Sequence, residues 1–226
     1  PEEMNRQLTG RIAELHFAPT SRARDNLARE NVTEQVYVVG NTVIDALHQL
    51  VHDAYQFHSP ELAALDFTQG RWIVMTAHRR ENLGEHLEAI CRGVLRLTEA
   101  HPDVQVVYPV HPNPAVRGVA ERLLGGHDRV HLIQPVEVED MHNLMKRCYM
   151  VMTDSGGLQE EAPALGKPIV VLRTETERPE VVEAGMAILA GVEEDRVFEA
   201  GNRLLTDEAL YHAMSHAINP YGRSEE

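Results

Sequence analysis

The run Asp154-Ser155-Gly156-Gly157 offers what a diphosphate needs: backbone N–H groups at a helix start, two residues without a Cβ, and a hydroxyl donor. Glu161 lies roughly two helical turns beyond Ser155 and so returns to the same side of that helix, where a carboxylate suits the vicinal hydroxyls of a ribose. His78, Arg79 and Arg80 gather proton-donating and cationic groups in one short segment, the composition of a phosphate site. His111, held close between Pro109 and Pro112, is rigidly presented, and Arg178 in Glu177-Arg178-Pro179-Glu180 is a further candidate for anion contact. Each residue also has a plainer reading. Ser155 could merely cap its own helix, Glu161 could be a solvated carboxylate, the arginines could pair with Glu81 and Glu85, and His111 could be structural. The pairs His127/His131 and His142/Cys148 lack a convergent third ligand, so no metal is expected. With neither a Walker-type loop nor a GxGxxG, NTPase and NAD chemistry are disfavoured and no cofactor is expected.

These segments gain weight from the elements that must position them. Six short, nearly continuous apolar runs, at 72–76, 104–108, 130–133, 149–153, 169–172 and 186–189, read as strands buried on both faces of a parallel sheet. Amphipathic stretches separate them: Leu87, Ile90, Val94, Leu95 and Leu97 fall largely on one helical face, and Val116, Val119, Ala120, Leu123 and Leu124 repeat the pattern. A shorter helix carries Met141, Leu144 and Met145, and two more run over 194–205 and 207–217 before Pro220. Strand–helix alternation predicts an α/β fold with a doubly wound, Rossmann-like parallel sheet. In such sheets ligands bind at the carboxyl ends of the strands, and the segments holding His78, His111, Ser155 and Arg178 all directly follow a predicted strand.

Before Arg71 the pattern changes. Residues 2–12 and 21–30 read as helical, 17–20 as extended, 36–39 as a strand and 43–55 as a helix, with too little apolar material before residue 40 to close a core. The expected division is a remnant of an N-terminal domain over 1–40, a hinge and linker helix over 41–70, a ligand-binding domain over 71–219 and a tail over 220–226. The chain opens on Pro1 rather than Met and ends on a charged stub, so it reads as a segment of a longer protein.

Composition narrows the classes. The 226 residues carry 21 Lys+Arg against 35 Asp+Glu, a net charge of −14, so no basic stripe is available to neutralise a nucleic-acid backbone. No apolar run approaches the ~20 residues of a membrane span, and the N-terminus is unlike a signal peptide. Cys91 and Cys148 cannot make a disulfide framework, which points to a reducing cytoplasm.

Six motifs in order resemble the non-hydrolysing UDP-N-acetylglucosamine 2-epimerases of bacteria: Pro1-Glu2-Glu3-Met4-Asn5-Arg6, Gly40-Asn41-Thr42-Val43-Ile44-Asp45, Thr76-Ala77-His78-Arg79-Arg80-Glu81-Asn82, Tyr108-Pro109-Val110-His111-Pro112-Asn113-Pro114, Thr153-Asp154-Ser155-Gly156-Gly157-Leu158-Gln159-Glu160-Glu161-Ala162-Pro163 and Thr176-Glu177-Arg178-Pro179-Glu180. The resemblance implies the C-terminal half of a glycosyltransferase-B-type architecture, in which two Rossmann-like domains face across a cleft. It implies reversible epimerisation at C2 of UDP-N-acetylglucosamine, by elimination of UDP and its re-addition, to give UDP-N-acetylmannosamine for bacterial surface polysaccharides. By resemblance, Glu2 is an acid/base carboxylate and His78 contacts the phosphates of the leaving UDP. Ser155, Gly156 and Gly157 form the phosphate cradle, Glu161 holds the ribose, and Arg178 is a further UDP-site residue. Arg79 and His111 match positions that contact a second UDP-N-acetylglucosamine as allosteric activator, and the full-length family members are expected to be homodimers. Two departures stand out: the family's N-terminal Gly-rich loop and its other catalytic carboxylates are absent from these residues, and Gln134-Pro135-Val136-Glu137-Val138 replaces the usual Pro-Leu-x-Tyr near the uracil. The rival readings are a hydrolysing epimerase, a UDP-sugar glycosyltransferase of the same architecture, or a non-catalytic nucleotide-sugar sensor.

Overall fold

The computed structural model describes residues 1–222. Contacts divide the chain into two compact units, one of residues 1–48 with the stretch from Pro220, the other of residues 49–219.

In the first unit, helix α1 (Glu2–Ile12) starts with Glu2 and Glu3 at the positive end of its dipole. Strands β1 (His16–Ala18) and β2 (Val36–Val38) pair in parallel, with helix α2 (Ser21–Arg29) as the crossover between them. Thr20 caps α2, its hydroxyl accepting from the Ala23 N–H at 3.1 Å. Helix α3 (Thr42–Leu50) buries Ile44 and Leu47. Met4, Leu8 and Ile12, at helical spacing on α1, and Phe17 and Tyr37 on the two strands are exposed. Tyr221 returns to this unit, its carbonyl accepting from the Asn41 N–H at 3.1 Å. Residues 223–226 of the expected 220–226 tail lie outside the described residues.

The second unit contains helix α4 (Pro60–Ala63), strand β3 (Arg71–Thr76), a 3-10 turn (Arg80–Asn82), α5 (Glu85–Ala100), β4 (Val104–Pro109), α6 (Pro114–Leu124), β5 (Val130–Ile133) and α7 (Val138–Arg147). It continues with β6 (Met150–Thr153), α8 (Gly156–Ala164), β7 (Ile169–Val171), α9 (Pro179–Glu183), β8 (Ala187–Leu189), α10 (Glu194–Thr206) and α11 (Glu208–Ser215). All six strands expected beyond residue 70 are present and wholly parallel, in the order β5-β4-β3-β6-β7-β8. Counted from β3, this is the doubly wound dinucleotide-fold order, with the direction of winding reversing between β3 and β6. Ile73, Met75, Met150 and Met152 line the fully buried centre, and α5, α6 and α10 seal it with Leu87, Ile90, Leu97, Ala120 and Leu204. Among the described residues no helix is long and apolar enough to cross a membrane.

The boundary between units falls inside α3, between His48 and Gln49, whereas the sequence places a linker over 41–70. The helix expected over 43–55 stops at Leu50 because side chains of α7 take over the backbone groups beyond it. Asn143 donates to the Leu50 carbonyl at 2.9 Å and accepts from the His52 N–H at 3.0 Å. Asp140, buried, accepts from the Tyr55 hydroxyl and the N–H groups of His58 and Ser59 at 2.8–2.9 Å.

Candidate functional site

The winding reversal places the ends of β3 and β6 side by side, and Asp154 is the residue that ties the loops beyond them together. Its side chain is fully buried. Oδ2 accepts from the N–H groups of His78 and Arg79, both at 2.8 Å, and from the Asn82 amide at 3.0 Å. Asn82 in turn donates to the Leu172 carbonyl beyond β7. Below it, Thr76 and Thr153 share a hydroxyl–hydroxyl bond of 2.6 Å, and the Thr153 hydroxyl also accepts from the Ser155 N–H at 2.9 Å. Tyr108, at the end of β4, donates its hydroxyl to the Ala77 carbonyl at 2.6 Å, and burial pushes its pKa up, so it stays a donor. These polar ties are enclosed by the core, where each is stronger than it would be in water.

On this frame the predicted phosphate cradle takes shape. Ser155 stands at the N-cap of α8 with extended backbone and makes no capping bond, so its hydroxyl is not spent on its own helix. A Cβ built on Gly156 would meet the Arg79 guanidinium at 3.5 Å, which sets Arg79 directly over the helix start. A Cβ on Gly157 would meet Glu161 Oε1 at 3.4 Å and Ser155 Oγ at 3.9 Å. Ser155 and Glu161 therefore flank the same glycine, Glu161 because it stands four residues beyond Gly157 on one helix face. The His78 and His111 rings stack at 5.2 Å and 13°, bringing the first two predicted loops together. His111 Nδ1 accepts from the Asn113 N–H at 3.1 Å, which leaves Nε2 as the ring's donor.

Arg178 is an ion pair with Glu160, on α8 next to Glu161. Its backbone N–H donates to Thr176 Oγ1 at 3.0 Å, the Thr176 hydroxyl donates to Gln159 at 2.6 Å, and Gln159 donates to the Ser155 carbonyl at 3.1 Å. The loop after β7 is thus tied to the cradle. Arg79 pairs with Glu177 at 3.7 Å, a partner on that same loop rather than the nearby Glu81 or Glu85. Glu2 belongs to the first unit and is exposed in the first turn of α1. All the other predicted residues lie in the second unit.

Asp154, Asn82, Gln159 and His142 are residues of the site that sequence reasoning misses. Asp154 carries a signal, being a carboxylate directly after an apolar strand and inside the glycine motif. His142, 3% exposed on α7, donates toward Glu161 Oε2 at 3.1 Å, and nothing in its local sequence distinguishes it from a core histidine.

A helix N-terminus, Arg79, His78 and a tethered carboxylate are groups that can receive a phosphorylated ribose. Comparison with known proteins shows the family. The profile of the family described as UDP-N-acetylglucosamine 2-epimerase matches residues 1–225. The chain is 52% identical to the UDP-N-acetylglucosamine 2-epimerase of Bacillus subtilis over 226 residues, covering 100% of this chain and 58% of that protein. Among solved structures it superposes on S. aureus MnaA in complex with UDP with a TM-score of 0.92 at 49% identity, covering 99% of this chain and 60% of that one. On the UDP-GlcNAc 2-epimerase of Neisseria meningitidis bound to UDP-GlcNAc the TM-score is 0.88 at 38% identity, covering 100% and 62%. The fold is that of the C-terminal half of the glycosyltransferase-B architecture, shared with the C-terminal domain of a Francisella tularensis group 1 glycosyl transferase at a TM-score of 0.56 and 12% identity. The chain spans about three fifths of the length of the relatives it matches.

Proposed function

The chain belongs to the UDP-N-acetylglucosamine 2-epimerase family, and on that premise we propose that its second unit is the UDP-binding half of a non-hydrolysing enzyme of this kind. The observation that carries the reading is Asp154 drawing the His78–Asn82 loop against the start of α8 at the winding reversal. The α8 N-terminus, Ser155 and His78 receive the diphosphate, Gly156 and Gly157 let it approach the backbone, and Glu161 accepts from the ribose hydroxyls. Arg178 completes the nucleotide site through Glu160.

The substrate would be UDP-N-acetylglucosamine and the product UDP-N-acetylmannosamine, made in the cytoplasm for surface polysaccharides by a homodimer of the full-length protein. A carboxylate removes the C2 proton, the C1–O bond breaks, and its electron pair goes to the β-phosphate oxygen of UDP. The resulting 2-acetamidoglucal is protonated at C2 from the opposite face as UDP adds back at C1. Charge grows on the departing diphosphate in the transition state, and His78 and the α8 dipole are aimed at that charge. Glu2 serves as one acid/base carboxylate. Arg79 and His111, beside the cradle, would contact the activating second nucleotide sugar.

Heavy-water NMR on a full-length homologue carrying these residues tests the reading. UDP-N-acetylglucosamine should gain deuterium at C2, and His78→Ala should cut turnover at least tenfold with a smaller change in KM. Release of free N-acetylmannosamine would assign a hydrolysing enzyme instead, and absence of both products would leave a binding protein. The 226-residue chain itself should bind UDP without exchanging the C2 proton.

A further inference from the structure

Glu161 is not a loose surface carboxylate. Its side chain is 14% exposed and its two oxygens have different surroundings. Oε2 receives His142 Nε2 at 3.1 Å, whereas Oε1 faces Gly157, 3.4 Å from where a Cβ would stand, on the side of the phosphate cradle. His142 is 3% exposed, and its other ring nitrogen, Nδ1, is enclosed with no hydrogen-bond partner. A neutral imidazole carries one proton, and only Nε2 has an acceptor waiting, so the proton belongs on Nε2. The helix that carries His142 is anchored at several points. Asp140 and Asn143 of α7 hold the backbone of residues 50–59, and Lys146 pairs with Asp53.

We propose that His142 is a positioning residue for ribose recognition: its Nε2–H fixes the Glu161 carboxylate so that Oε1 is left aimed at the ribose hydroxyls. An untethered glutamate must give up the freedom of several side-chain bonds when it engages a ligand, and the tether removes part of that cost in advance. A carboxylate held in one pose also loses more when a hydroxyl is missing, because it cannot turn elsewhere for a partner. His142 therefore sharpens the preference for a ribonucleotide without touching it. The inference rests on the proposed contact between Glu161 and the ribose.

Calorimetry on the 226-residue chain with UDP and with 2′,3′-dideoxy-UDP separates the two claims. Glu161→Ala should abolish the preference for UDP; if the preference survives, Glu161 does not hold the ribose and both claims fall. With that established, His142→Met, which fills the volume but offers no donor, should weaken UDP about tenfold and leave the dideoxy ligand nearly unchanged. His142→Gln, whose amide can donate to Oε2, should keep most of the preference. A His142→Met protein that retains the preference, or loses both ligands equally, would overturn the positioning role while leaving Glu161 in the site. Long-range ¹H–¹⁵N spectra of the wild-type ring decide the same point without a substitution: a neutral ring with its proton on Nδ1 contradicts the proposal.

Discussion

Asp154 and His78 are joined at two points: the His78 N–H donates to Asp154 Oδ2 at 2.8 Å, and His78 Nδ1 lies 3.9 Å from Oδ1. The first contact fixes where the loop after β3 starts, and the second sets one edge of the ring beside a buried carboxylate. Oδ1 is buried with no hydrogen-bond partner. A strand-end carboxylate thus acts as the common anchor of two loops that sequence reading treats as separate motifs.

Asp154→Ala should therefore cost about 2–5 kcal/mol, because three donors lose their acceptor in a dry site. Asp154→Asn can keep an oxygen toward those donors and should cost roughly 1 kcal/mol. Urea unfolding gives the two numbers, and amide exchange at His78 and Arg79 locates the loss. If the alanine variant matched the wild type in stability and exchange, the anchor would be disproved.

Gly157→Ala tests the cradle independently of stability. In the first turn of α8, alanine is the better helix former by up to about 1 kcal/mol, so the variant should be at least as stable as the wild type. Its Cβ stands 3.4 Å from Glu161 Oε1, in the space the ligand would use, so UDP affinity should fall by tenfold or more. Unchanged affinity measured by calorimetry would move the nucleotide away from this glycine.

The strands are legible in the sequence because a parallel sheet buries both faces, which turns each strand into a nearly unbroken apolar run such as Ile169–Val171. The loops beyond them emerge from the same pattern, and so do Ser155, Glu161 and His78. What a single sequence hides is pairing across distance. Nothing in the neighbourhood of Asp154 announces His78, Arg79 and Asn82 as its partners, and His142 reads as one more residue on an amphipathic helix. The end of α3 is hidden for the same reason: residues 51–55 suit a helix locally, but Asn143 and Asp140 claim the backbone and side chains there.

Asp140 makes that claim dependent on pH. Burial pushes its pKa up, but the N–H groups of His58 and Ser59 and the Tyr55 hydroxyl together hold it below the usual aspartate value. A carboxyl with a lowered folded-state pKa stabilises the fold fully above its unfolded value and loses that contribution as pH falls through the folded one. Asp140→Asn should thus destabilise the chain by about 1–3 kcal/mol at pH 7, and the gap should close below about pH 4. Denaturant titrations of both proteins across that range check the sign. A gap that widened on acidification would mean the carboxylate is not what holds residues 55–59.

Both thiols should be inert in the native protein. Burial pushes Cys91 and Cys148 up to about 12, so almost no thiolate is present at neutral pH, and neither sulfur is accessible. Iodoacetamide should modify neither in buffer and both in denaturant. Prompt labelling of Cys148 would show that the end of α7 opens, and with it the support of His142.

The fold of the site should be separable from the rest of the chain. Every residue assigned to UDP, from His78 to Arg178, lies within residues 49–219, and so do the buried strands and helices that hold them. The clasp of Asp140 and Asn143 on residues 50–59 is internal to that unit, so starting the chain at Gln49 leaves it whole. A polypeptide of residues 49–219 should then unfold cooperatively and bind UDP within about threefold of the 226-residue chain, a difference of under about 1 kcal/mol. Glu2 lies in the other unit, and removing it should leave UDP affinity untouched. Loss of UDP binding by a folded 49–219 polypeptide would mean that residues 1–48 contribute directly to nucleotide recognition, and the assignment of the whole site to the second unit would have to be abandoned.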